Sequence, residues 1–322
     1  MIRRVIRRVI AAGNGRWPLS RTAAAFGERL AEPARDAVLQ RRRSVPTELA
    51  QHCVREYLQR LRPSPPTAPP DPIELFMRIA QRDFDVAPLA VASVREYVAN
   101  DIAAFTVVTP RAYVGQARRD FPDANVLADE DVLPAEIQQL ILARAPQGRS
   151  SWVTQQFLTM VYVAGSAQRP CLVWDADLVL LKPKSVLNGG VATLALSLEH
   201  HPPYFDLIRR LLPDLDLPAW SSTVAHHLVM DPTLLRGLLG EIEVRGGQPW
   251  WRLVLDQIDP NEASCMADYE LYGQWMRVRH APRVVLDGFR NVGLRRQELS
   301  PAALDRLRQH SSIDSVSLHW WM

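Results

Sequence analysis

The chain has 322 residues, of which 47% are hydrophobic and 23% charged, with a net charge of +3. That balance excludes a wholly disordered or low-complexity chain and fits a globular protein with a sizeable core. No run reaches the roughly 18 uninterrupted apolar residues of a membrane span, and three widely spaced cysteines (Cys53, Cys171, Cys265) suggest neither a disulfide framework nor a zinc site. A reducing, cytoplasmic setting is the expectation.

The charge is concentrated at one end. Up to residue 71 there are 14 Arg against 6 Asp and Glu, a local excess of +8, which leaves −5 for the remainder. In MIRRVIRRVI the apolar Ile2, Val5, Ile6, Val9 and Ile10 share one helical arc and Arg3, Arg4, Arg7 and Arg8 the other. Such a face pattern suits an interfacial helix, so residues 1–12 are a candidate for peripheral attachment to an anionic surface on the inner face of a membrane. Packing on protein is the competing reading. Nucleic acid is not expected, because the arginines are not interleaved with aromatic residues.

A second helical stretch, 46–61, runs into RPSPPTAPPDP (62–72), whose prolines favour an extended spacer. We therefore divide the chain into a basic helical extension (1–61), a Pro-rich linker (62–72) and a large domain (73–322). In that domain IELFMRIA (73–80) reads as a strand, 85–98 as a helix and IAAFTVVT (102–109) as a strand, a βαβ unit. A short helix (113–121), a short strand (124–128) and helices at 134–144 and 151–164 follow, then the apolar run CLVWDADLVLL (171–181). Alternation of this kind predicts an α/β fold with a mostly parallel sheet flanked by helices, whose ligands gather at the carboxyl ends of strands.

Asp175 and Asp177 stand out. An i, i+2 spacing in an extended chain puts both carboxylates on one side, and two acids in so apolar a run repel one another unless a cation or hydrogen-bond donors compensate them. A divalent ion, Mn²⁺ or Mg²⁺, is the natural compensator. The plain alternative is that the strand ends at Trp174 and the acids cap a solvated turn. A haloacid-dehalogenase-type phosphatase also places DxD after a strand, but that motif normally opens the fold, and here about a hundred residues of βα pattern precede it.

Residues 73 to about 290 resemble a little-characterised bacterial family of GT-A-like glycosyltransferases. The features are Arg82-Asp83-Phe84 after the first strand, Trp152 with Gln155-Gln156 on a helix, WDADLVLLKP, Ala225-His226-His227-Leu228-Val229-Met230, and Ala267-Asp268-Tyr269-Glu270-Leu271-Tyr272-Gly273. The resemblance implies a GT-A-like domain in which Asp175 and Asp177 hold the metal on a nucleotide-sugar donor. It implies Arg82 and Asp83 near the nucleoside, Trp152, Gln155 and Gln156 toward the donor, and His226, His227 and Tyr272 on the sugar and acceptor side. Thr159 stands where similar proteins often carry Lys. Glu270, with Asp268 as substitute, is the candidate acceptor-side carboxylate, a general base if the enzyme inverts at the anomeric carbon and only an orienter of sugar hydroxyls if it retains, and His319 or His280 is the candidate third metal ligand. Trp250, Trp251 and Trp275 are candidates for stacking on sugars. The expected activity is metal-dependent transfer of a sugar to a hydroxyl acceptor, a glycan or a lipid-linked or envelope acceptor. A catalytically degenerate nucleotide-sugar-binding protein is the alternative.

Overall fold

In the computed structural model the described residues are 57, 58, 60–217, 221–310 and 312–319. The basic helix at the start, and with it the membrane candidate 1–12, lies outside them, as do Cys53, Trp220, Trp320 and Trp321.

The first strand, β1 (Ile73–Arg78), is buried along its whole length. Helix α1 (Ala87–Tyr97) carries the chain back to β2 (Ile102–Thr109), and α2 (Val114–Asp120) leads into β3 (Asn125–Ala128). Three helices, α3 (Asp129–Val132), α4 (Ala135–Arg144) and α5 (Ser150–Gly165), precede β4 (Cys171–Trp174). Together with β8 (His227–Met230) these strands form a sheet in the order β3-β2-β1-β4-β8, parallel except for β8 at its edge. The order reverses at β1, whose neighbours β2 and β4 lie on opposite sides, so a crevice opens past the ends of β1 and β4.

Strand alternation sorts the two faces of this sheet. Phe76, Val108, Cys171, Val173, Leu228 and Met230 point into one core, which α5 also enters with Val153, Phe157 and Leu158. Leu75, Met77, Val107, Leu172, Trp174 and Val229 point into the other, against Ala87, Ala90, Val91 and Val94 of α1. The first core also takes in the apolar faces of α6 (Pro202–Leu211), α7 (Pro232–Gly246), α8 (Trp250–Gln257) and α9 (Asp268–Arg279).

The run 171–181 is not one strand. The chain turns at Asp175–Asp177, where the Leu178 amide donates to the Asp175 carbonyl at 3.1 Å, and β5 (Leu178–Leu180) pairs antiparallel with β11 (Ser315–His319). The strand β10 (Asn291–Arg295) completes this second sheet, and helix α10 (Pro301–Gln309) connects β10 to β11. A third sheet, β6 (Leu187–Asn188), β7 (Val191–Leu196) and β9 (Val284–Gly288), completes the framework.

The described residues before β1 lie against that third sheet. The Gly288 amide donates to the Leu61 carbonyl at 3.2 Å, Asp71 N–H donates to Leu187, and Pro70 bridges Asn188. A Cβ at Gly288 would overlap the Leu58 carbonyl oxygen, and one at Gly189 would come 2.7 Å from the Ala68 methyl. Glycine is required at both places by close approach of the chain.

Candidate metal centre

Three sequence-distant side chains converge where β4 ends. Asp175, Asp177 and His226 each offer a ligand atom, and those atoms all lie within 4.8 Å of one another. Their side chains are partly open, at 21% for Asp175, 15% for Asp177 and 17% for His226. His226 Nδ1 lies 2.9 Å from Asp175 Oδ2, while the Tyr269 hydroxyl, from the first turn of α9, donates to Asp175 Oδ1 at 2.9 Å. On the far side His319, at the end of β11, places Nδ1 3.5 Å from Asp177 Oδ2, and its ring centroid is 5.7 Å from that of His226.

The backbone is arranged for this convergence. His226 has φ of +59°, a left-handed conformation unusual for any residue but glycine. With it the His226 carbonyl accepts from the Asp175 amide at 2.9 Å while its ring also meets Asp175. Such strain of about 1–3 kcal/mol persists only where the surroundings over-determine it. Burial opposes charge on the His226 ring, but the hydrogen bond and charge of Asp175, with Glu199 and Asp177, raise it to about 9. A proton on His226 thus compensates the paired acids.

His227 is built for a different purpose. It sits opposite Trp174 in the β4–β8 register, its ring centroid 5.0 Å from that indole and 5.7 Å from Phe289, with Nδ1 2.8 Å from the Ala225 carbonyl. Burial pushes it down to about 3, so it is neutral. Both rings lie within 6.0 Å of that of Phe289, and His226 is the one at the aspartate pair.

The acids of α9 sit behind this centre. Asp268 is 3% exposed, with Oδ1 accepting from the Tyr269 amide, and its own amide donates to Gln156 Oε1 at 3.0 Å. Burial, with the nearby charge of Asp175, raises its carboxyl to about 7 against the pull of the Tyr269 amide and the Thr159 hydroxyl. Thr159 itself is buried and donates to the Gln155 carbonyl at 3.1 Å. Glu270 is fully buried, and its oxygens accept from Ser222 Oγ, the Thr223 amide and hydroxyl, and Gln274 Nε2. These bonds, with Arg277 Nη1 on Ser221 Oγ at 3.0 Å, fasten α9 to the segment leading to His226. A Cβ on Gly273 would collide with the Thr223 side chain, which explains the glycine.

Other residues singled out in the sequence fall at two places. At the crevice wall formed by the end of β1, the turn Gln81–Asp83 gives Asp83, which accepts from Arg296 Nη2 at 2.6 Å, while Arg82 is exposed. Burial, opposed by Arg296, raises the Asp83 carboxyl, and the charge of Asp177 adds to the rise. On α5, Trp152 stacks at 6.5 Å on Tyr204 under the Arg149 guanidinium, and Gln155 is half-buried. Tyr272 is away from the centre. Its hydroxyl accepts from the Asp231 amide at 3.0 Å, just beyond the end of β8 that pairs with the start of β4. His280 packs on Trp275 at 4.5 Å, and Trp250 stacks on Phe157 at 5.4 Å.

Tyr269 is the contact that the sequence reading passed over. It precedes Glu270 and lies one turn before Tyr272, so the same aromatic face of α9 meets the aspartates at its first turn only.

No protein-family model matches the sequence, and no curated protein matches it. Among solved structures, the chain is similar to mouse xyloside xylosyltransferase 1 in its apo form, at 13% identity over 78% of this chain and 99% of that one, with a TM-score of 0.40. That likeness assigns no residue and no activity to this chain.

Proposed function

We propose that this chain is a GT-A-like, metal-dependent glycosyltransferase that moves a sugar from a nucleotide-sugar donor to a hydroxyl acceptor. The observation that carries this reading is the convergence of Asp175, Asp177 and His226 past the end of β4, beside the point where the strand order reverses. Two carboxylate oxygens and one imidazole nitrogen are a donor set suited to Mn²⁺, and to Mg²⁺ with water completing the shell. When bound, the ion supplies positive charge that neutralises the departing diphosphate.

The protein's own residues set the stage for that ion. Tyr269 holds Asp175 Oδ1 and leaves Oδ2 toward His226, so the carboxylate is fixed before any ligand arrives. His319 lies against Asp177 as a further imidazole at the rim. Across the crevice, Asp83 is held by Arg296, which also bonds the Leu318 carbonyl, so the wall nearest the nucleoside is tied to the strand bearing His319. Asp268 and Glu270 act from behind, positioning Tyr269 and the approach to His226.

Residues 1–61 are proposed as a basic extension joined through 62–72 to the transferase domain 73–322, with an anionic membrane surface as the partner of residues 1–12 and a lipid-linked or envelope glycan as acceptor. Among the described residues no helix is long and apolar enough to cross a membrane.

The test is thermal unfolding of the full chain against UDP-, GDP-, ADP- and CMP-sugars, with and without Mn²⁺. A ligand at 100 times its dissociation constant adds about 2.7 kcal/mol. The expected result is a shift for one nucleotide that needs Mn²⁺ and disappears in Asp175→Asn; no shift under any condition contradicts the proposal.

A further inference from the structure

The His226 ring is held by its hydrogen bond to Asp175 and flanked by two other rings, His319 at 5.7 Å and Phe289 at 6.0 Å between centroids. A cation at the centre competes for the same aspartate, so packing is what keeps the imidazole in place whether or not an ion is bound. The half-buried Phe289 ring also meets His227 at 5.7 Å and packs against the core that contains Trp174. It is the apolar contact that the two histidines share.

Phe289 lies outside any strand. Strand β9 ends at Gly288 and β10 starts at Asn291, so Phe289 and Arg290 bridge the third sheet to the second. The bridge is fastened residue by residue. Ahead of it the buried Asp287 carboxylate pairs with Lys184 Nζ at 2.9 Å; behind it the Arg290 guanidinium pairs with Asp314, and the Arg290 carbonyl accepts from the Asp314 amide at 2.9 Å. The Phe289 amide donates to the Leu196 carbonyl, at the end of β7, at 2.7 Å. Gly288 is fastened by the chain that precedes β1: the Leu61 carbonyl accepts from its amide, and the Leu58 carbonyl fills the space that a Cβ would need. The segment before the large domain thus presses on the residue next to Phe289, and the Phe289 ring meets His226.

Resting on the metal centre proposed above, we infer that Phe289 is a positioning residue for His226 and that the segment at Leu58–Leu61 governs metal affinity through it. Lifting the segment off Gly288 frees the bridge to move, the Phe289 ring withdraws, and the imidazole leaves its place beside Asp175. The chain preceding β1 therefore reaches the centre from behind the third sheet, and a partner that draws that chain away lowers ion affinity. Loss of a group that orients a metal ligand costs about 10-fold to 100-fold in affinity.

The experiment titrates Mn²⁺ into the full chain by calorimetry and reads bound imidazole from the nitrogen modulation of the Mn²⁺ spin echo. Phe289→Ala should weaken binding about tenfold or more and diminish the modulation. Phe289→Leu, which refills the space, should recover most of both, a rescue that loss of a merely structural residue would not give in the echo. Gly288→Ala should weaken binding in the wild-type background and add little in a Phe289→Ala background, the non-additivity of residues that act in series. Should Phe289→Ala fail to fold, the same two readouts on Gly288→Ala decide. Wild-type affinity in Phe289→Ala or in Gly288→Ala overturns the inference and leaves the metal centre standing, as does an equal loss from Gly288→Ala in both backgrounds. A wild-type chain that binds no Mn²⁺ overturns both.

Discussion

Asp268→Asn should make the protein more stable, and increasingly so as the pH rises. Burial raises the Asp268 carboxyl from 3.8 to about 7, a displacement of about three pH units, which at 1.36 kcal/mol per unit is about 4 kcal/mol. The sign follows from linkage: an acid whose folded value lies above its unfolded one is neutral in both states well below 3.8 and costs the fold nothing there. Between about 3.8 and 7 the unfolded chain releases the proton and the folded one keeps it, so stability falls, and above 7 the full cost is present. Asparagine never ionises, its Oδ1 can still accept from the Tyr269 amide, and its Nδ2 can donate to the Thr159 hydroxyl beside it. Urea unfolding of both proteins in chelator, at pH 4.5 and pH 8, measures the difference. The variant should gain at least 1–2 kcal/mol at pH 8, with about 4 as the upper bound, and about a quarter of that gain at pH 4.5. A difference of the same size and sign at both values would refute the assignment of a buried, ionisation-resistant acid.

Three further outcomes are expected. Tyr269→Phe should weaken Mn²⁺ binding several-fold, by freeing Asp175 Oδ1, whereas Tyr272→Phe should leave it unchanged and cost about 1 kcal/mol of stability for the lost Asp231 bond; equal effects on Mn²⁺ in calorimetry would count against the different placement of the two tyrosines. Gly288→Ala should displace the segment ending at Leu61, so that trypsin cleaves after Arg60 faster than in wild type while near-ultraviolet circular dichroism stays native. His227→Phe should spare Mn²⁺ affinity, because that ring packs on Trp174 and Phe289, whereas His226→Phe should abolish it.

The central sheet is legible in the sequence because its strands are written as apolar, β-branched runs with turn residues between them. IELFMR and IAAFTVVT become β1 and β2 with ends displaced by at most two residues, and the helices at 85–98 and 134–144 are found within three. The run 171–181 misleads because Leu178–Leu180 is as apolar as Cys171–Trp174; what breaks it is pairing with β11, more than a hundred residues away, which no local pattern contains. Two paired acids could be read from the sequence, but their partners could not. Choosing between His226 and His227 needed the left-handed backbone at His226, and choosing Tyr269 over Tyr272 needed the height at which α9 crosses the sheet.

The most direct measurement is a Mn²⁺ titration of the full chain by electron paramagnetic resonance, comparing wild type with Asp177→Asn and with His226→Gln. Binding of one ion that weakens at least tenfold in each variant, while both remain folded, is the expected result. Binding that is unchanged in both would contradict the assignment of Asp175, Asp177 and His226 as a metal centre.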